Sequence, residues 1–138
     1  MKTRTIRQSV SFAASPSELY TMFLSSASHA AFTGAPARIS GKIGGRFTVY
    51  DGYASGRNVA LVPGKKIVQS WKASDWPEGV ESLLTLSLTA ARAGCRLTMV
   101  HSGVPSDHAD SIAQGWKDYY WTPIKELLKN RRIPTIHR

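Results

Sequence analysis

Hydrophobic and polar residues alternate at the start of the chain. Over residues 4–13, Ile6, Val10 and Phe12 share one face, while Arg7, Ser9 and Ser11 share the other. A period of two predicts a half-buried strand. The pattern then changes. Ser15-Pro16-Ser17-Glu18 is a helix start, with Ser15 as N-cap, Pro16 first in the helix and Glu18 three residues after the cap. Leu19, Tyr20, Met22 and Phe23 give this short helix its apolar face. A second short helix is predicted around residues 28–33, stopped by Gly34.

From residue 37 to 102 the period of two returns between turn residues. Phe47 and Val49 share a face, as do Val59 and Leu61. After the Val62-Pro63-Gly64-Lys65 turn come Ile67, Gln69 and Trp71. A loop with Trp76-Pro77-Glu78-Gly79 leads to Leu84, Leu86 and Leu88, and the Ala93-Gly94 turn leads to Cys95, Leu97, Met99 and His101. Strands this closely spaced predict an antiparallel meander rather than βαβ units. The last element is a long helix. Ile112, Trp116, Tyr119, Tyr120, Pro123, Ile124, Leu127 and Leu128 recur at spacings of three and four. Asp107 is expected to cap it, and Asp110 adds negative charge to its first turn. Pro123 crowds the carbonyl of Tyr119 and removes one backbone hydrogen bond, which predicts a kink. The fold class expected is α+β. A curved antiparallel sheet of six to seven strands wraps a long C-terminal helix, with two short helices after the first strand.

Composition narrows the class. At 138 residues the chain fits one domain, residues 1–138, able to bury roughly two thirds of its unfolded surface. Hydrophobic residues at 42% and charged residues at 20% exclude a disordered chain. A single cysteine, Cys95, excludes a disulfide framework and a cysteine-rich zinc site. It reads as a small buried residue, since no activating partner is visible. No apolar run approaches the roughly 20 residues of a membrane span, and the first ten residues lack the apolar core of a leader, so a cytoplasmic location is expected. Eighteen Lys and Arg against nine Asp and Glu give a net charge of +9, which favours anionic partners without naming one. The basic residues are spread along the chain, with one cluster at Lys125, Lys129, Arg131, Arg132 and Arg138. Residues 130–138 are expected to form a flexible basic tail. A solvated surface with cations at a helix C-terminus accounts for this cluster, and no RNA-binding signature with interleaved aromatics appears. No nucleic-acid partner is expected.

Several segments carry a family likeness: Ala14 to Tyr20; Gly44-Gly45-Arg46-Phe47; Gly56 through Trp71; Gly94 through Val104; and Gly115-Trp116. In their order and spacing the chain resembles the SRPBCC (START-like) superfamily with its helix-grip fold. Within it, the chain is similar to small single-domain proteins related to the C-terminal domain of activators of the heat-shock-90 ATPase. The likeness covers about residues 6–129. It implies a cavity between sheet and helix, and members of the superfamily include lipid carriers, hydrophobic-ligand receptors, cyclases and co-chaperone domains. The activators proper also carry a separate N-terminal domain that binds the chaperone, so the resemblance does not by itself imply activation. Fold alone does not give function.

The candidate site is that cavity. Phe47, Val49, Val59, Leu61, Trp71, Leu84, Leu86, Leu97 and Met99 are expected on the sheet face. Trp116, Tyr119 and Tyr120 are expected to face them from the helix. Gln69, His101 and the tyrosine and tryptophan tips would orient a bound molecule. A packed core is the plainer alternative. His101 on an apolar strand is read first as a satisfied structural histidine and second as a base or ligand anchor. His29, His101, His108 and His137 form no metal motif, and neither a metal nor a cofactor is expected. Gly44-Gly45 reads as a tight turn rather than a phosphate loop. The function expected is non-catalytic binding of a small hydrophobic or amphipathic molecule, entering past the short helices and the Trp76 loop. An enzyme using the same cavity is one alternative, and a protein-interaction or co-chaperone-like module, with a homodimer as one form of it, is another.

Overall fold

A computed structural model describes residues 1–132. Strand β1 (Thr3–Phe12) is followed by helices α1 (Pro16–Leu24) and α2 (Ser26–Thr33). Then come β2 (Arg38–Ile39), β3 (Arg46–Val49), β4 (Ala54–Val62), β5 (Lys66–Ala73), β6 (Ser82–Ala91) and β7 (Gly94–Pro105). The chain closes with α3 (Ser106–Trp116), a π-helical turn (Lys117–Trp121) and α4 (Thr122–Arg132). All seven strands form one antiparallel sheet in the order β1-β7-β6-β5-β4-β3-β2. This is the α+β helix-grip arrangement that the alternation and the likeness implied.

Local chemistry sets the helix ends. Ser15 Oγ accepts the Glu18 backbone N–H (3.1 Å), and Pro16 starts α1. Ser25 then serves twice: its N–H closes α1 on Thr21, and its hydroxyl accepts the Ser28 N–H to start α2. Gly34 ends α2 in the left-handed conformation (φ 72°), which costs glycine little. The helix over the sheet begins at Ser106 with no side-chain cap. Asp107 therefore lies inside the first turn, where it helps through the helix dipole and not as the expected cap.

One face of the sheet is the core floor. Ile67, Leu84, Leu86, Leu97 and Met99 are fully buried there, in one cluster with Ile112, Trp116, Tyr120, Trp121, Ile124 and Leu128 of the C-terminal helix. Each such aliphatic side chain stabilises the fold by about 2 kcal/mol. Alternation is interrupted where the strand register shifts, between Arg4 and Ile6 opposite β7 and again within β4. Asn58 pairs with Gln69 and Ala60 with Val68, so Val59 is an extra residue in a β-bulge. The bulge turns Val59 outward, 52% exposed, instead of onto the expected inner face, and Leu61 is only half-buried. Asn58 is buried and donates to the carbonyls of Ser40 (2.7 Å) and Lys42 (2.9 Å), fixing the loop before β3. Gln69 Nε2 donates to Asn58 Oδ1 (3.0 Å), so Gln69 belongs to this polar knot.

Pro123 deforms the C-terminal helix as expected, in a specific form. The π-helical turn immediately precedes it, and the Thr122 N–H reaches back five residues to Lys117. The wider turn buries both Tyr120 and Trp121 below Trp116, and it turns Tyr119 out to 58% exposure. A strict 3.6 period points Tyr119 inward and misses Trp121. Pro123 has no N–H for the Tyr119 carbonyl four residues back. The Tyr50 hydroxyl donates to that carbonyl instead. Tyr50→Phe is therefore expected to cost about 1 kcal/mol in denaturant unfolding, and less than half of that in a Pro123→Ala background, where the helix supplies its own donor. Equal costs in both backgrounds would sever the link between Pro123 and Tyr50.

Charge is sorted between the layers. The strands carry Arg4, Arg7, Arg38, Arg46, Arg57, Lys66, Lys72 and Arg96 and not one Asp or Glu; every acidic residue lies on a helix, turn or loop. The charge that is scattered along the sequence is collected in the fold. Residues 130–132 continue α4, and the rest of the expected tail lies outside the described residues.

Candidate functional site

Sheet and helix do not close on each other everywhere. Between the β3–β4 turn, β5 and the α3/π-turn segment lies an open cleft of about 590 Å³. Its floor is Trp71, Trp116 and Tyr120, all buried. Tyr50 and Tyr53 of the β3–β4 turn form one wall, and Gly115, Asp118 and Tyr119 form the other. The first wall depends on unusual backbone. Tyr50 (φ 52°) and Asp51 (φ 55°) both lie in the left-handed region, which disfavours residues with a Cβ. The Tyr50 hydroxyl bond to Tyr119 and edge-to-face packing on Tyr120 (5.8 Å) and Tyr119 (5.5 Å) hold the turn in place. Burial, and secondarily Tyr119, push the Tyr50 phenol above its ordinary range.

Among the anticipated residues, Val49, Trp71, Trp116, Tyr119 and Tyr120 meet at this cleft. Phe47, Leu84, Leu86, Leu97 and Met99 are packed core, and Leu61 lies at the core margin. The Trp76 loop is not part of the opening: Trp76 is buried on Trp71 (5.4 Å) and His108 (6.2 Å). Tyr50, Tyr53 and Gln114 were not anticipated at the cleft, nor was His29 behind it. Two tyrosines flanking Asp51-Gly52 are the signal that was present: large aromatics in a turn, where no core claims them.

His101 lies beneath the cleft floor, fully buried. The Trp116 Nε1–H donates to His101 Nδ1 (3.1 Å). An indole only donates, so Nδ1 must be the acceptor and Nε2 must carry the proton. Nε2–H then donates to Ser82 Oγ (2.7 Å), whose hydroxyl donates to the Trp71 carbonyl (2.7 Å). This chain ties the helix to β5, β6 and β7 and leaves neither ring nitrogen free. Burial lowers the His101 pKa to about 3. The first reading, a satisfied structural histidine, fits this geometry; a base for a bound substrate does not. His29 is also buried, with Nε2 2.9 Å from the Tyr120 hydroxyl and Nδ1 without a partner, and burial lowers its pKa to about 4. Tyr120 is held well above the ordinary phenol range by burial and then by Tyr50. Cys95 is buried, and burial raises its thiol pKa. Among the described residues no group of three or more His, Cys, Asp or Glu is placed to hold a metal. Nor is any helix there long and apolar enough to cross a membrane.

A curved seven-stranded sheet gripping one interrupted helix, with an aromatic cleft between them, defines the class as SRPBCC-type. The model of the family "Activator of Hsp90 ATPase homolog 1-like protein" matches residues 13–129, and the chain belongs to that family. It is 38% identical over 117 residues to human "Activator of 90 kDa heat shock protein ATPase homolog 1", covering 85% of this chain and 35% of the relative. A Dictyostelium discoideum homologue of that activator is 33% identical over 127 residues, covering 91% of this chain and 33% of the relative. The chain thus spans about a third of the length of these relatives. Among solved structures, an HSP90 activator from Plasmodium falciparum superposes with a TM-score of 0.81 at 21% identity, covering 92% of this chain and 96% of that one. The Aha1 dimer from Colwellia psychrerythraea superposes at 0.77 with 16% identity, covering 91% and 96%.

Proposed function

We propose that this chain is a co-chaperone-like interaction module that binds a 90 kDa heat shock chaperone and raises its ATPase rate. The observation that carries the reading is the 38% identity over 85% of the chain with a protein named for that activity. The site agrees with it in one respect: His101, one of the residues an enzyme in this cavity would use as a base, has both ring nitrogens occupied. The test is a titration of the chain into a purified 90 kDa heat shock chaperone with ATP turnover as readout. Turnover rising severalfold and saturating is the expected result. A flat titration overturns the reading.

The cleft favours a second reading, a small apolar or amphipathic ligand. Its volume of about 590 Å³ is that of ligand sites, and its floor is aromatic. Mass spectrometry of the purified protein, native and then denatured, is expected to show an added mass that denaturation removes. Gly115→Leu, which pushes a side chain into the cleft from the helix, is expected to abolish it. A bare chain mass from the unaltered protein counts against this reading.

A further inference from the structure

We infer that the outer face of β2–β5, centred on Arg38, Arg46, Arg57 and Lys72, is a docking surface for an acidic segment of a partner protein. The inference rests on the interaction-module reading and adds the face and the chemistry of the partner. Strand register builds the surface. Arg46 pairs directly with Arg57 across β3 and β4, and the row continues to Ser70 on β5. The neighbouring row runs Arg38, Thr48, Ser55, Lys72 across β2 to β5. Phe47, Val49, Ile67 and Trp71 are buried on the opposite side, so these two rows point away from the helices, and all four basic residues are exposed.

Two arginines directly opposite in a ladder have their Cβ atoms about 5 Å apart, an arrangement that destabilises the sheet. Among the described residues none of the four meets a carboxylate, whereas Arg4, at the far edge of the sheet, pairs with Asp110. No strand offers an Asp or Glu to neutralise them. An anionic partner relieves this repulsion. The rows stand two residues apart along the strands, about 7 Å, which is also the repeat of carboxylates at alternate positions in an extended peptide. Nucleic acid fits less well. The aromatic residues of the strands, Phe12, Phe47 and Trp71, are all buried on the inner side, so this face has no platform for stacking bases.

The test compares two variants with the same loss of charge, Arg46→Ser/Arg57→Ser on this face and Lys125→Ser/Lys129→Ser on α4. The probe is a short synthetic peptide alternating Glu and Ser, titrated at low and near-physiological salt. The face variant is expected to bind roughly tenfold more weakly and the α4 variant within about twofold of the unaltered chain. The face variant should also melt at or above the unaltered temperature, since like-charge repulsion has gone, which separates lost binding from lost folding. Equal losses in both variants would show net charge at work and overturn the proposal. Tighter capture of a single-stranded RNA or of phosphatidylserine vesicles through the same arginines would overturn the partner class. If the 90 kDa chaperone binds both the unaltered chain and the face variant equally, the docking face falls and the interaction reading stands. If the peptide needs the face but the chaperone is not bound, the chaperone reading falls and the face stands.

Discussion

Gly56→Ala is expected to lower the unfolding free energy by about 3 kcal/mol or more and the melting temperature by roughly 10 °C. A Cβ built at Gly56 lies 1.8 Å from the Ser70 carbonyl oxygen, 2.7 Å from its carbon and 3.0 Å from the Phe47 ring. The obstruction is backbone of the neighbouring strand, so no side-chain rotation relieves it. Gly56 pairs with Phe47 on β3 and Trp71 on β5, in the middle of the ladder that carries the cleft floor. Separating those strands would disturb Trp71, and with it the packing on His101 (4.9 Å) and Trp116 (6.2 Å). Gly34→Ala is the contrast. Nothing lies within 4 Å of its added Cβ, and only the positive φ opposes it, at a cost of about 1 kcal/mol. Similar unfolding curves for the two variants would show that the close approach at Gly56 is absent in solution.

Acid sensitivity is the second large effect. His29 and His101 titrate in the fold at about 4 and about 3, below the ordinary 6.5. The unfolded chain therefore binds more protons than the native one throughout the interval between these values. Stability from keeping both rings neutral is full above about pH 7 and is lost as the pH falls. Averaged between pH 6 and pH 4, each histidine contributes about 1 kcal/mol per pH unit and the pair about 2 kcal/mol per unit. His101→Gln preserves one acceptor for Trp116 and one donor for Ser82 without a titrating ring. It is expected to remove about half of that slope. Unfolding free energies from denaturant curves at several pH values check this; a slope unchanged in the variant would place the acid sensitivity elsewhere.

Much of the fold was legible because β1, β5, β6 and most of β7 each bury one face. That makes the period of two strict from Ile6 to Phe12 and from Leu84 to Leu88. It broke where backbone geometry departs from the ideal repeat. The bulge at Val59 inserts one residue and reverses the faces beyond it. The π-helical turn before Pro123 replaces Tyr119 by Trp121 on the buried side. Pro123 itself announced a deformation, but the sequence does not say that Tyr50 would take over the Tyr119 carbonyl. Half of the cleft was visible for the same reason as the core: Val49, Trp71, Trp116 and Tyr120 obey a period. Tyr50 and Tyr53 sit in a turn, where no period operates. His29 lies on a short helix whose apolar pattern is weak. The basic face was hidden by linear spread and emerges once strand boundaries are known, because acidic residues are missing from the strands alone.

The most direct measurement of the central proposal is equilibrium binding of this chain to a purified 90 kDa heat shock chaperone by isothermal titration calorimetry, at low and near-physiological salt. Saturable binding in the micromolar range that weakens as salt rises is expected, because a cationic sheet face contributes to it. No saturable binding up to about 100 µM of chain at either salt concentration would contradict it.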